Sequence, residues 1–350
     1  MIITASECKS ILQKITAKPS RVVIVHHWDT DGIASCTMML KYLMENKVEA
    51  VNVIPQIGMY GVDAIDIDVI NHINPDSILI LDYALKQRDL EILEKELEKP
   101  ILLIDHHINV YDKRLRMTRI YNPTVFSEGK ASYPSTTWVL REILNLPLNL
   151  YVILGVVGDI GRSIVKHAFW SEIKEYIDDK GWSLDSVIEA CETLDAASRA
   201  LNAGIVERAP YRLLGYNTPY EVVSDDEWSS VRWGIEKELA RLLEIAKLVI
   251  EDGHIKVFKF ESPYLLVSAV GRTLARRYQD SIVVVVFDVK NYKEYIYVRS
   301  YSYDLTYALQ ELRRQGLNIG GKNEVFSIQL ESKGQVEYVL SKVLELLKKL

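Results

Sequence analysis

Cysteine is scarce: Cys8, Cys36 and Cys191 are the only three in 350 residues, and they follow no pattern. An odd, scattered set fits a reducing compartment better than a disulfide framework, and no C-x-x-C pair offers zinc its thiolates. Long apolar runs are missing as well. The longest, near Tyr151–Val157 and Ile282–Phe287, stop far short of the ~18 residues that a membrane span needs. The stretch Met1 to Glu7 lacks a basic start followed by an apolar core, so no secretory signal is expected. A cytoplasmic protein without a membrane partner is the expectation. Nor is there an excess of positive charge, since 42 Lys and Arg stand against 48 Asp and Glu, a net charge of −6. Long nucleic acid is gripped mainly by neutralising phosphates. The balance therefore favours a small or short anionic substrate held by metal and a few local cations, with single-stranded nucleic acid left open.

What is present is a soluble globular composition, 48% apolar and 26% charged, over a length that suggests two domains at roughly 150 residues each. No internal repeat or low-complexity segment interrupts it. Ser6–Ile15 reads as an opening helix. Apolar, β-branched runs then alternate with helical patterns: Val22–Val25, Ala50–Ile54, Ser77–Leu81 and Ile101–Ile104 against Ile33–Glu45, Gln87–Glu98 and Ser135–Leu144. That alternation predicts an α/β fold with a doubly wound parallel sheet. From about 183 to 250 the pattern is helical, with long amphipathic segments at Asp185–Ala203 and Glu227–Ile250 and no clear strand. Strands return at His254–Phe260, Tyr264–Ser268, Ser281–Val289, Tyr295–Tyr301 and Glu324–Gln329. Helices are expected at Gly271–Tyr278, Leu305–Arg314 and Gly334–Leu350. The expected organisation is a first domain over 1–182, a helical connector over 183–250 and a smaller α/β domain over 251–350.

Four of the seven histidines lie in two aspartate-rich clusters, His26-His27-Trp28-Asp29-Thr30-Asp31-Gly32 and Asp105-His106-His107, each directly after an apolar run. In open parallel sheets ligands gather beyond the carboxyl ends of the strands. Asp82 ends the run Ile78 to Leu81, and Asp159 sits between glycines in Gly158-Asp159-Ile160-Gly161. Carboxylate oxygen suits Mn²⁺ and Mg²⁺, and imidazole moves the preference towards Mn²⁺ and its neighbours. His27, Asp29 and Asp31 alternate, so an extended strand end would place them on one face. Gly32 would then let the chain turn into the next helix. Trp28, Trp138 and Tyr133 are read as packing residues rather than stacking platforms. A lone Asp-Gly is usually a turn and a lone His-His is usually surface or core. Four such sites at successive strand ends are much harder to produce by chance, and they point to a metal-dependent enzyme for phosphate esters.

In order along the chain, His27-x-Asp29-x-Asp31-Gly32, Asp82, Asp105-His106-His107 and Gly158-Asp159 resemble the four motifs of the DHH phosphoesterase superfamily, named for the triplet at 105–107. Within it the chain is most similar to the archaeal RecJ-like and oligoribonuclease branch. Asn122-Pro123 and Pro134-Ser135-Thr136 resemble the segment after the third motif, where a serine or threonine caps a helix near the active site. The resemblance implies two Mn²⁺ ions, with Mg²⁺ or Co²⁺ as substitutes, held by His27, Asp29, Asp31, Asp82, His106 and Asp159, Asp82 bridging. It gives Asp105 the orientation of its neighbours, and His107 the scissile phosphate. Residues 251–350 resemble the DHH-associated domain, whose arginine-serine strand end and glycine-rich loop match Arg299-Ser300 and Gly320-Gly321-Lys322. These are the expected substrate-binding residues, with the active site in the cleft between the domains. Lys322 stands where the family has histidine, and Val325-Phe326-Ser327 replace small residues. A lysine contacts phosphate as a point charge but does not shuttle protons near neutral pH.

The implied function is a Mn²⁺-dependent phosphodiesterase or exonuclease for single-stranded DNA, RNA or short oligonucleotides. A cyclic or linear dinucleotide phosphodiesterase is the close alternative. A scaffold among replication proteins is the alternative from another class, set against it by the presence of every expected ligand. A family II pyrophosphatase fits less well, because its lysine-rich substrate motif is missing.

Overall fold

The computed structural model describes residues 2–111, 115–126, 133–330 and 334–350. The chain divides into two compact units, Met1–Arg232 and Trp233–Leu350. The first opens with α1 (Ala5–Thr16), whose N-terminus is closed by a reciprocal Thr4–Glu7 capping box. Five strands follow with helices between them: β1 (Arg21–His26), α2 (Thr30–Glu45), β2 (Glu49–Val53), α3 (Ile67–Ile73), β3 (Ser77–Leu81), α4 (Gln87–Leu97), β4 (Ile101–Ile104) and β5 (Thr118–Tyr121). All pair in parallel, in the order β2-β1-β3-β4-β5. Central strands of such a sheet are covered on both faces and read as unbroken apolar runs. Accordingly β3 and β4 are buried along their whole length.

From β1 the chain crosses outward to β2, then returns past β1 to β3 and continues the other way. Because crossovers are right-handed, that reversal sends α2 to one face and α3 and α4 to the other. It also opens a crevice at the carboxyl ends of β1 and β3, where such sheets bind ligands. After β5 come α5 (Pro123–Phe126), α6 (Thr136–Leu144), α7 (Leu150–Ile160), α8 (Trp170–Asp179), α9 (Leu184–Arg199), α10 (Ala203–Leu213) and α11 (Pro219–Val223). Val187, Ala190, Leu194 and Ala197 of α9 are buried in the same core as the sheet. The helices up to Val223 are thus a further layer of the first unit.

A long helix, α12 (Asp226–Glu244), carries the chain into the second unit. It ends earlier than the helical pattern predicts. Leu248–Asp252 forms β6 instead, paired antiparallel with β7 (Ile255–Ser262). The β-branched pair Val249-Ile250 suits a strand better than a helix end. Next come α13 (Val267–Arg277), β8 (Ile282–Val289), β9 (Glu294–Arg299), α14 (Thr306–Arg314), β10 (Ile319–Lys322), β11 (Val325–Gln329) and α15 (Val336–Leu347). The expected strand at Tyr264–Ser268 is absent: Val267, Val270 and Leu274 recur at helical spacing and are buried as one face of α13. A short apolar run does not separate strand from helix, and here the longer period decides. The sheet order is β10-β11-β9-β8-β7-β6, mixed because only β7 and β8 run parallel.

Candidate metal centre

β1 ends at His26, and the two adjacent histidines part company there. His26 is fully buried; its Nδ1–H donates to the His27 carbonyl at 2.7 Å and its Nε2 accepts from Asn52 Nδ2 at 3.1 Å. Burial lowers its pKa to about 4, so it is a neutral strut. His27 points the other way. Its Nδ1 lies 2.7 Å from Asp29 Oδ2 and 4.0 Å from Asp82 Oδ2, yet it makes no hydrogen bond.

The expected extended face at 27–31 is corrected by the structure: the strand has ended, Asp29 is the N-cap of α2, and Asp31 lies in its first turn. Asp29 Oδ1 accepts from Gly32 N–H at 3.1 Å, and an Asn or Asp at that position stabilises a helix start. Gly32 is therefore helical. It is needed because a Cβ there would meet the His27 carbonyl oxygen at 2.3 Å.

Asp31 turns back to the N-terminus of α6, accepting from Thr136 N–H at 2.6 Å and Thr137 N–H at 3.1 Å. The four N–H groups of a first turn lack helical partners, so they fix a carboxylate firmly. Ser135 caps α6 through Trp138 N–H, and Thr136 Oγ1 donates to Asp82 Oδ1 at 3.0 Å. One helix start thus positions two aspartates from different strand ends. Gly155 permits the approach, since a Cβ there would lie 2.2 Å from Asp31 Oδ1.

Asp82 follows β3 with φ +56°, a left-handed conformation that costs about 1–3 kcal/mol for a residue with a side chain. Aspartate tolerates it better than most. β4 leads into Asp105, His106 and His107. The His106 Nδ1–H donates to the Tyr133 carbonyl at 3.0 Å, so the lone pair of Nε2 faces Asp159 Oδ2 at 3.1 Å and Asp82 Oδ1 at 3.5 Å. The His107 Nδ1–H donates to Asp105 Oδ1 at 2.8 Å, and Asn122 Nδ2 donates to the His107 carbonyl at 2.7 Å. Asp159 reaches in from the last turn of α7.

Three groups of potential ligand atoms result: His27, Asp29 and Asp82; Asp82, His106 and His107; Asp31, His106 and Asp159, each within 4.8 Å of one another. Asp82 and His106 each belong to two. No Lys or Arg pairs with Asp29, Asp31, Asp82, Asp105 or Asp159 among the described residues. Burial first, then Asp31, Asp29 and Asp159, pushes the Asp82 carboxyl well above its ordinary range. Burial also raises the Asp31 carboxyl, and raises that of Asp159 to about 7. Burial alone would lower His106, but the Asp159 carboxylate 3.1 Å away and the charge of Asp31 outweigh that and raise it to about 10. Asp29 is the exception, held low against burial by His27 and Gly32 N–H. His27 Nδ1, His106 Nε2 and Asp105 Oδ2 are buried without a hydrogen bond. Buried carboxylates with no Lys or Arg to balance them, beside imidazole nitrogens without a hydrogen-bond partner, are what a divalent cation would satisfy, and the donor set fits one.

Residues 21–152 match the DHH family, N-terminal domain. Over those residues the chain carries a DHH-family N-terminal domain. Among solved structures it is similar to exonuclease RecJ bound to manganese, with 16% identity, TM-score 0.66, and coverage of 100% of this chain and 96% of that one. It is similar to the DHH domain of a member of the s1p family of ribosomal proteins, with 16% identity, TM-score 0.69 and coverage of 97% and 89%. It is also similar to CDC45 from Entamoeba histolytica, with 12% identity, TM-score 0.60 and coverage of 98% and 99%. At these identities the likeness is one of fold. No curated protein matches the chain by sequence.

Around the DHH centre, three supports escaped the sequence reading. Asp195 of α9 accepts from Thr30 N–H at 3.0 Å and Thr30 Oγ1 at 2.7 Å, locking the start of α2 from 165 residues away. Asn52, on β2, holds His26. Tyr60, 68% exposed, lies with its ring 6.1 Å from that of His27. None has a local motif to announce it.

In the second unit, Arg299 ends β9, with Nη1 donating to Tyr297 Oη at 3.2 Å and Nη2 lying 3.3 Å from Glu324. Lys322 is exposed and lies 3.6 Å from the same Glu324 oxygen. Gly321 allows β10 and β11 to close, since a Cβ there would meet the Val325 carbonyl oxygen at 2.3 Å. Ser300 is fully buried: its hydroxyl donates to the Ser281 carbonyl and accepts from Ser302 and Tyr303 N–H, so it builds the turn after β9.

Proposed function

We propose that this chain is a Mn²⁺-dependent phosphodiesterase that removes nucleotides from ends of single-stranded nucleic acid or short oligonucleotides. The observation that carries the reading is the buried aspartate cluster, without Lys or Arg, whose His27 and His106 nitrogens stay orphaned against aspartate oxygens. In this reading His27, Asp29 and Asp82 would hold one cation and Asp31, His106 and Asp159 a second, with Asp82 also beside His106. The mixed carboxylate and imidazole donors favour Mn²⁺, with Mg²⁺ or Co²⁺ as substitutes. When bound, such ions supply Lewis acidity towards a phosphate and a water nucleophile at neutral pH.

The rest falls to the chain's own groups. Asp105 fixes the His107 ring by its Nδ1–H, which leaves Nε2 to donate to a phosphate oxygen where charge grows in the transition state. Burial lowers the His107 pKa, but Asp105 more than compensates and raises it, favouring the protonated donor. Arg299 and Lys322 are assigned a phosphate of the substrate away from the scissile bond. Glu324 already neutralises part of their charge, which favours short substrates and keeps a dinucleotide phosphodiesterase as the narrower form of the same reading. Hydrolysis of end-labelled RNA and DNA oligomers of graded length, beside a dinucleotide, tests it. Mn²⁺-dependent release of mononucleotides is expected from the wild type and none from Asp82→Asn, a variant that tolerates the same backbone conformation. Full turnover in that variant or in excess chelator would overturn it.

A further inference from the structure

Beside the His106 and Asp159 edge of the centre lies a cavity of about 370 Å³ lined by His106, His107, Tyr133, Pro134, Asp159, Ile160, His167 and Phe169. Its outer wall is aromatic. The rings of His167 and Phe169 are 5.2 Å apart and 16° from parallel, and Phe169 is braced from behind by Trp138 at 5.5 Å. His167 itself is exposed, and its ring nitrogens make no hydrogen bond to a described residue. No Lys or Arg is among the lining residues. A pocket meant for a phosphate would need fixed positive charge or a row of N–H donors. A stacked pair with a free imidazole edge instead suits a flat, neutral, hydrogen-bonding ring.

We propose that this pocket takes the nucleobase attached to the scissile phosphate, stacked on the outer face of His167 with Phe169 behind it, while His107 reaches the phosphate. The inference rests on the phosphodiesterase reading above and narrows it. The substrate is a phosphodiester carrying a base on the side that enters the pocket, and selection is by stacking, tolerant of base identity. Tyr133, expected to be a packing residue, forms part of the pocket wall.

The test compares a dinucleotide with two analogues, one abasic at the 5′ nucleotide and one at the 3′ nucleotide, in Mn²⁺. For the wild type, one analogue should lose about ten-fold or more in kcat/KM and the other little, as expected for one stacked base. His167→Ala should lower kcat/KM for the parent dinucleotide by a comparable factor, mainly through KM, and shrink the abasic penalty. His167→Phe should restore both. Phe169→Leu keeps the packing volume against Trp138 and should behave like His167→Ala. Equal cleavage of parent and both analogues by the wild type, or an abasic penalty undiminished in both variants, overturns the pocket assignment and leaves the phosphodiesterase reading standing. A wild type that does not cleave the parent dinucleotide or longer oligomers removes both.

Discussion

The aspartate and histidine cluster of the first unit and the Arg299–Lys322–Glu324 cluster of the second both gather polar side chains at strand ends. They balance charge in opposite ways. In the second, the two cations share one carboxylate, and Lys322 is 71% exposed, so water screens what remains. The exposed Lys322–Glu324 pair is worth little by itself, whereas the Arg299 side chain is only 13% exposed and is held in place. In the first, five aspartates converge with histidines alone, and Asp82 is only 2% exposed. Folding has buried a set of carboxylates that no Lys or Arg of the described residues balances. The lesson is that unbalanced burial, more than the number of charged residues, marks the place where something from outside belongs.

That contrast is sharpened by substitutions on each side. His107→Ala should lower kcat by roughly 10²–10³, the usual loss for one donor to a developing charge. Its metal content should stay unchanged, because Asp105 already occupies Nδ1. Loss of half the bound Mn²⁺ would instead make His107 a ligand. On the second side, Arg299→Ala should weaken cleavage of an oligonucleotide about ten-fold, in the range of a charge-assisted contact of ~1.5–3 kcal/mol, and leave a minimal phosphodiester almost unaffected. Equal losses on both substrates would break the comparison by placing Arg299 in the catalytic centre or the fold.

The smallest effect concerns stability. His106 is raised to about 10, so in metal-free protein its native form holds a proton that the unfolded chain releases above about pH 6.5. The stability it contributes is present at lower pH and lost as pH rises towards 10. His26, lowered to about 4, acts in the opposite sense but only below pH 6.5, where the unfolded chain takes up its proton first. Between about pH 7 and 9 the His106 effect is joined, in the same direction, by His107 and by the raised Asp82 and Asp159 carboxyls, while His26 no longer contributes. The Tm of chelated protein should fall by a few degrees across that window, and Mn²⁺ should raise Tm more at pH 8.5 than at pH 7. A chelated protein with flat Tm from pH 7 to 9 would mean that the cluster is less strongly coupled than its distances imply.

Much of this was legible in the residues themselves. The buried runs at Val22–Val25, Ser77–Leu81 and Ile101–Ile104 announce the parallel sheet, because central strands have two apolar faces. The motifs stand beside those runs, so the place of His27, Asp82 and His106 follows. What stayed hidden depends on long-range contact. Nothing around Asp195 says that it will lock Thr30, and nothing near Asn52 says that it will hold His26. The alternation of His27, Asp29 and Asp31 suggested an extended face, but the strand ended two residues too early and Asp29 became a helix cap. Val267-Ser268 likewise joined a helix, since its partners Val270 and Leu274 outweigh a short apolar run.

The central claim is that Asp82 joins two cation sites into one catalytic centre. Equilibrium Mn²⁺ binding to the purified protein at pH 8, with Asp82→Asn alongside and circular dichroism to verify folding, tests it most directly. The account predicts about two ions per wild-type chain and clearly weaker or partial binding in the folded variant. A folded wild type that takes up fewer than one ion, or a variant that binds as the wild type does, would contradict it.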